Sequence, residues 1–101
     1  MNTQFKKGVL DLCVLNQLIR EDRYGYELTE LISKELEVTA GTLYLILKRI
    51  KDDGYVTTYL RESDSGPARK YYHLTEKGRD YLQKQKAEWL EFLEKAGKLL
   101  A

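Results

Sequence analysis

Residues 39–78 read TAGTLYLILKRIKDDGYVTTYLRESDSGPARKYYHLTEKG, and the spacing of their apolar side chains changes along the stretch. In the first fifteen residues, leucine and isoleucine recur every three or four positions, which is typical of an amphipathic helix. After Gly54, β-branched and aromatic residues cluster in two short runs, 55–60 and 69–74. The polar residues 62–67 between these runs have turn chemistry. The stretch therefore predicts a helix followed by a β-hairpin with a long polar tip.

The predicted helix has defined ends and two different faces. Thr39 suits the N-cap position, and Gly54 suits the left-handed conformation that ends many helices. The apolar stripe of the helix consists of Leu43, Ile46, Leu47 and Ile50. At about 100° per residue, the opposite face carries Gly41, Leu45, Lys48 and Asp52, flanked by Tyr44, Arg49 and Lys51. This second face is small, partly basic and free of core contacts, so it is available for binding.

Apolar spacing predicts three further helices. Two of them, over residues 5–19 and 24–35, precede Thr39 and are joined by a polar connection. Thr75 suits the N-cap of the last helix, which covers residues 76–100 and is about 37 Å long at 1.5 Å per residue. A helix of this length has a longer apolar side than a small domain can cover. We therefore expect the apolar side of the last helix to form a dimer interface. The residues predicted for that interface are Leu82, Trp89, Phe92, Leu93 and Ala96.

The order of these elements is that of a winged helix, in which the third helix enters the DNA major groove and the hairpin touches the flanking backbone. We therefore predict a mostly α protein with a small β-hairpin, in the α+β class. Residues 1–75 form the predicted winged-helix domain, with the first helix also contributing to the dimer interface. Residues 76–101 form the predicted dimerisation helix.

Length and charge limit the function classes. A chain of 101 residues allows one domain, and its 17 basic and 16 acidic side chains give a net charge of +1. The charge is uneven, because residues 20–38 carry three basic and six acidic side chains whereas residues 39–74 carry six basic and four acidic ones. Any site for nucleic acid is therefore expected to be local and to lie in the middle third of the chain.

Catalytic and metal-binding chemistry is not predicted. His73 is the only histidine and lies in a predicted strand, and no motif pairs it with a nucleophile. Cys13 is the only cysteine and lies in an apolar run, so we interpret it as a reduced core thiol, which favours a cytoplasmic protein. No segment has the roughly 18 apolar residues needed to cross a bilayer. We expect no enzyme, cofactor or metal site, and no membrane partner.

Several motifs together resemble those of the PadR-like transcriptional regulators, and the resemblance covers nearly the whole chain. The combination of Gly-Thr-Leu-Tyr at residues 41–44 with Arg-Lys-Tyr-Tyr-His-Leu-Thr at residues 69–75 is specific, and Tyr-Gly-Tyr-Glu at residues 24–27 also matches. Two positions depart from the family, which usually has an acidic residue at Ala40 and a proline at Leu45. With one helix after the wing, the chain resembles the shorter subgroup.

The resemblance implies a homodimeric repressor that binds an inverted-repeat operator in double-stranded DNA and releases it on meeting an effector or stress signal. Hydroxyl groups and lysine suit phosphate or guanine contacts, and wing cations suit phosphate or minor-groove contacts. The alternative for each of these residues is an ordinary solvated side chain. The residues predicted to contact DNA are Thr42, Tyr44 and Lys48 on the third helix, and Arg69 and Lys70 on the wing.

Trp89 is the predicted centre of an effector site. Two-fold symmetry places Trp89 near its counterpart at the dimer centre, and some short PadR-like proteins bind planar compounds against such a tryptophan. The alternative is a packing role in the dimer core. The predicted walls of the site are Phe5, Leu12, Asn16 and Leu93.

A rival interpretation is a winged-helix module that binds protein without specific DNA binding. The near-neutral net charge and the acidic second helix favour it. The salt dependence of DNA binding separates the two interpretations, because neutralising phosphates makes affinity fall steeply with salt.

Overall fold

The computed structural model describes the backbone of residues 3–101 and the side chains of residues 8–101. In this part of the chain, four helices accompany one small antiparallel sheet, which confirms the predicted mostly helical α+β fold. The elements in chain order are α1 (Thr3–Asn16), β1 (Arg23–Tyr24), α2 (Gly25–Glu35), α3 (Ala40–Asp52), β2 (Val56–Ser63), β3 (Gly66–Leu74) and α4 (Glu76–Leu100).

The hydrophobic core lies between the first three helices, the base of the hairpin and the first turns of α4. Burying these aliphatic side chains supplies the main free energy that holds the small domain together. The buried cluster consists of Leu10, Val14, Leu15, Leu18, Leu28, Ile32, Leu43, Ile46, Leu47, Ile50, Val56, Tyr72, Leu74 and Leu82.

The bounds of α3 agree with the sequence prediction. The Thr39 side chain accepts a hydrogen bond from the Thr42 N–H at 3.2 Å, as an N-cap residue does. At the other end, Gly54 has a φ of 81°, which a residue with a Cβ rarely adopts. All four residues of the predicted apolar stripe are buried, so the opposite face is directed away from the core.

Helix α1 begins two residues earlier and ends three residues earlier than predicted. It ends at Asn16, and the N–H groups of Gln17 and Leu18 bond to carbonyls three residues back instead of continuing the α-helix. This tighter turn buries Leu18 but leaves Ile19 partly exposed. The apolar spacing of residues 18 and 19 therefore reflects a turn against the core, not a further helical turn.

The sheet differs from the prediction in two ways. A third strand, β1, pairs antiparallel with β3 through Arg23↔Tyr72 and Tyr24↔Tyr71, giving the order β1-β3-β2. The predicted long polar tip is wrong, because the strands extend to Ser63 and start again at Gly66. An irregularity between residues 61 and 63 accompanies this extension, opposite the segment that contains Pro67, which has no N–H to donate.

The start of α4 is fixed against the end of α3. The Thr75 N–H donates to the Tyr55 carbonyl at 3.1 Å, and the Thr75 hydroxyl donates to the Gly54 carbonyl at 2.8 Å. The same hydroxyl caps α4 by accepting from the Gly78 N–H at 3.0 Å. One threonine therefore joins the winged-helix core to the last helix.

Leu82, one of the residues predicted for the dimer interface, is buried within the single chain. Its side chain is 1% exposed and belongs to the core of the single chain, because the first two turns of α4 pack on that core. A side chain already buried within one chain offers little surface to a second copy.

Beyond Leu82, no residue of α4 belongs to the buried core, and the molecule measures 52 × 28 × 21 Å. Several apolar side chains of this part are exposed: Leu90, Phe92, Leu93, Leu99 and Leu100. Despite its length, α4 is too polar to cross a membrane, and the other helices of the described residues are too short or too polar as well.

Candidate nucleic-acid interface

The outward face of α3 carries exposed side chains along its whole length. Thr42, Tyr44 and Lys48, which the sequence singles out, are all exposed, and Leu45 lies among them. Lys48 Nζ lies 3.2 Å from Asp52 Oδ2 one turn later, and both side chains are well exposed. An exposed pair of this kind contributes little to stability, so Lys48 can exchange its carboxylate partner for another anion at small cost.

Thr42 is held at the N-terminal end of this face. Its hydroxyl oxygen lies 3.0 Å from the hydroxyl oxygen of Thr39, and its N–H donates to the same Thr39 oxygen. These two contacts place the Thr42 hydroxyl at the start of α3, where the partial positive charge of the helix dipole favours an anion.

Tyr44 sits where α3 meets the start of α2. A Cβ at Gly25 would lie 3.5 Å from Tyr44 Cε1 and 3.4 Å from Tyr72 Cε1, so the absent side chain lets both rings approach this turn closely. Tyr72 is buried, and this burial raises the pKa of its hydroxyl. Tyr44 is about half exposed, so part of its side chain is available to a ligand.

Arg69 is positioned by an aromatic residue that the sequence pattern did not indicate. Its guanidinium carbon lies 4.7 Å from the ring centroid of Tyr24, within the range of a cation–π interaction. Tyr24 in turn lies 5.9 Å from Tyr71, and Tyr71 stacks on Tyr59 at 5.6 Å. The outer face of the sheet therefore supports Arg69 through a row of tyrosine rings.

The base of this tyrosine row is tied to the loop before β1. The Tyr59 hydroxyl donates to Asp22 at 2.7 Å, and His73 Nδ1 lies 2.8 Å from the other Asp22 oxygen. Partial burial of the Asp22 carboxyl opposes its ionisation, but the hydrogen bonds with His73 and Tyr59 outweigh burial and lower the pKa of Asp22. Asp22 therefore acts as a charged anchor for the wing.

A groove of about 520 Å³ separates the wing from the helices. It brings together three of the five residues predicted to contact DNA, namely Tyr44, Arg69 and Lys70. Thr42 and Lys48 are not among its lining residues and lie farther along the outward face of α3. The other aromatic lining residues are Tyr24, Tyr26 and Tyr72, so the groove combines hydroxyl groups with two cations.

The second predicted site lies where α4 passes α1. Trp89 stacks on Phe92 with ring centroids 5.7 Å apart. Trp89 and Leu12 border two open cavities, one of about 490 Å³ and one of about 260 Å³, and the smaller is also lined by Asn16 and Leu93. The Phe5 side chain lies outside the described residues.

Asn16 and Cys13, two of the polar or reactive groups near these cavities, are respectively paired and partly shielded. Asn16 Oδ1 accepts from Lys86 Nζ at 3.0 Å, which links α1 to α4. Cys13 is half-buried, and burial raises the pKa of its thiol, which lowers its reactivity as a thiolate. Among the residues whose side chains are described, no three histidine, cysteine or acidic side chains are grouped closely enough to hold a metal ion.

Comparison with known proteins gives the relatives of this chain. The model of the transcriptional regulator PadR-like family matches residues 14–84. An uncharacterised protein of Lysinibacillus sphaericus is 33% identical over 92 residues, which are 87% of this chain and 84% of that protein.

Solved structures extend the similarity to nearly the whole chain. A PadR-like transcriptional regulator from Bacillus cereus is 36% identical, with a TM-score of 0.85 and 97% of both chains covered. A Streptococcus transcriptional regulator is 30% identical, with a TM-score of 0.88, 99% of this chain and 100% of that chain covered. Because the family model spans well over half of the sequence and the winged-helix fold agrees along nearly all of it, this chain belongs to the PadR-like family of DNA-binding transcriptional regulators.

Proposed function

We propose that two copies of this chain form a repressor that binds an inverted-repeat operator and leaves it when an effector or stress signal arrives. The observation that carries the proposal is the groove that joins α3 to the wing. Tyr44 of α3 lines the same groove as the wing cations Arg69 and Lys70, and the exposed apolar residues of α4 are not among the residues that line it.

The proposed DNA contacts follow from this arrangement. Helix α3 enters the major groove, where Thr42 donates to a phosphate and Lys48 contributes charge or a guanine contact. The DNA backbone then runs along the groove beside the wing, within reach of the Tyr44 hydroxyl and of Arg69 and Lys70. Tyr24 keeps the guanidinium of Arg69 in place, which lowers the entropy cost of ordering that side chain when DNA binds.

The dimer is proposed from the exposed apolar residues of α4. Phe92 and Leu93 are exposed, and Trp89 and Ala96 partly exposed, on the part of the helix that follows its last core residue, Leu82. A second copy related by a two-fold axis covers this surface with the same surface, as isologous dimers do. The two α3 helices are then presented to two half-sites of the operator.

Replacing Lys48 or Arg69 by alanine is expected to weaken binding to a duplex selected from a random pool by the wild-type protein. The slope of log affinity against log salt should flatten by about one unit for each phosphate that is no longer neutralised. Lys95→Ala is the matched control, because Lys95 also pairs with an acidic residue one turn away, Glu91 at 2.7 Å, but lies on α4. Fluorescence anisotropy at four salt concentrations measures the slopes.

Unchanged affinity and slope in both Lys48→Ala and Arg69→Ala would place the interface elsewhere. A wild-type protein with no salt-dependent binding to any duplex would favour the rival protein-binding module. The acidic residues Glu27 and Glu30 of α2 are the surface that such a module would offer to a basic partner.

For the effector, we propose a planar, apolar molecule with a positive or zero charge that binds against Trp89. The cavities beside Trp89 support this proposal, and Glu88 is the charged residue among the described lining of the larger one. An indole presents a flat face at low conformational cost. Because the helices around Trp89 also set the separation of the two α3 helices, a ligand that prefers one separation shifts DNA affinity, and DNA shifts ligand affinity by the same factor.

Titration with a panel of flat aromatic cations and neutral compounds is expected to quench the fluorescence of Trp89, the single tryptophan of the chain. Saturating operator DNA should weaken the binding of the quenching compound. The factor should equal the one by which that compound weakens DNA binding. Absence of quenching across the panel, together with a normal transcriptional response of Trp89→Ala, would leave Trp89 a packing role only.

A further inference from the structure

Leu45 is an exposed apolar side chain on a helix whose other aliphatic residues are buried. Its side chain is 69% exposed, whereas Leu43, Ile46, Leu47 and Ile50 are at most 3% exposed. Single exposed leucines are common on protein surfaces. The position of this one is what matters, since it stands three residues after Thr42 and three before Lys48, between the two on the outward face.

The surroundings of Leu45 allow it to approach a base edge. A Cβ at Gly41, one turn earlier, would meet no heavy atom within 4 Å, so no neighbouring group covers the helix surface there. Asp52, two turns after Leu45, is exposed and negatively charged, which disfavours close approach of phosphates to the C-terminal end of this face. The N-terminal half of α3, centred on Leu45, is therefore the part suited to insertion.

We infer that Leu45 contacts the C5-methyl group of a thymine in each half-site, an inference that rests on the proposed binding of α3 in the major groove. Of the four bases, thymine alone presents a methyl group in the major groove, and apolar side chains recognise it by contact. Thr42 and Lys48 on either side position the helix through phosphates or a guanine, and Leu45 supplies discrimination between thymine and the other pyrimidine.

The test removes only the C5-methyl group of thymine from the DNA. In a duplex selected by the wild-type protein, each thymine is replaced in turn by deoxyuridine, which keeps the base pair and the O4 acceptor. At one position of each half-site, the replacement should weaken wild-type binding about four-fold, the equivalent of about 0.8 kcal/mol for one methyl group. Leu45→Ala should bind the thymine and deoxyuridine duplexes equally, and its fold should be unaffected because the side chain is largely solvated.

Leu31→Ala is the matched control, because Leu31 is a partly exposed leucine on α2 that does not line the groove. The Leu31→Ala protein should keep the four-fold preference for thymine. Two results overturn the inference while leaving DNA binding intact. In the first, no replacement of a thymine by deoxyuridine weakens wild-type binding. In the second, Leu45→Ala shows the same preference for thymine as the wild type. A wild-type protein that binds no duplex at all overturns the proposed function as well, so the two failures are distinct.

Discussion

Replacing Gly78 by alanine is expected to destabilise the folded chain by about 3 kcal/mol or more, a large part of the 5–15 kcal/mol typical of a small domain. A Cβ at this position would lie 2.1 Å from the Tyr55 carbonyl oxygen and 2.9 Å from Leu74 Cδ1. The first contact is with backbone, which cannot move aside as the end of a flexible side chain can. Alanine therefore requires α4 to shift away from the end of α3.

Such a shift breaks the contacts that join α4 to the rest of the domain. The Tyr55 carbonyl also accepts from the Thr75 N–H at 3.1 Å, and the Tyr55 ring stacks on Tyr81 at 4.2 Å. Leu82, one turn after Gly78, is buried in the core and would move with the helix. Because these interactions share one short segment, we expect them to break together.

Gly97→Ala is the matched control in the same helix. A Cβ at Gly97 would meet no heavy atom within 4 Å, so alanine should stabilise the helix by about 0.5 kcal/mol through its higher helix propensity. Urea unfolding followed by circular dichroism measures both variants. A Gly78→Ala protein as stable as the wild type would mean that α4 does not approach Tyr55 this closely.

Replacing Phe92 and Leu93 together by glutamate is expected to abolish dimerisation at micromolar concentration. Both side chains are about half exposed in the single chain, so the fold should tolerate the change. In a two-fold dimer each substitution occurs twice, and central aromatic residues contribute about 2 kcal/mol or more each. The loss of these side chains and the repulsion between the added carboxylates should raise the dissociation constant of the dimer at least about a thousand-fold.

Leu60→Glu provides the control for this experiment. Leu60 is 70% exposed, on β2, and lies outside the proposed interface. Sedimentation equilibrium should show a dimer for the wild type and for Leu60→Glu, and a monomer for the double variant. A double variant that remains a dimer with an unchanged constant would remove α4 from the interface.

The sequence predicts best those elements in which burial follows a regular period. Helix α3 has leucine and isoleucine on one face, a threonine cap and a terminal glycine, and the structure confirms its bounds to within one residue. The two-residue strand β1 escapes prediction because two residues cannot display an alternation. Its existence depends on pairing with β3, a long-range contact that local chemistry does not indicate.

The wing shows a different limit of structure prediction from sequence. Residues 61–63 and 66–68 are exposed or nearly so, and therefore lack the apolar alternation by which strands are recognised. Backbone hydrogen bonds across the hairpin extend the strands there without help from burial. The supporting contact between Tyr24 and Arg69 escapes prediction for the same reason as β1, since its two members lie far apart in the sequence.

Leu82 shows that the apolar stripe of a long helix can include residues of the single-chain core. Its spacing places it on the same side of α4 as Phe92 and Leu93, and sequence alone cannot tell where a long helix leaves the core. The boundary is set by Gly78, which brings the first turns of α4 against Tyr55 and so buries Leu82 within one chain.

Symmetric binding of DNA by two copies of this chain, through α3 and the wing, is the central element of the proposed function. Hydroxyl-radical footprinting of the wild-type protein on a selected duplex tests it most directly. Symmetric binding predicts two protected segments related by a dyad, with centres about 34–36 Å apart or a multiple of that distance. A single protected segment without dyad symmetry and shorter than one helical turn would contradict it.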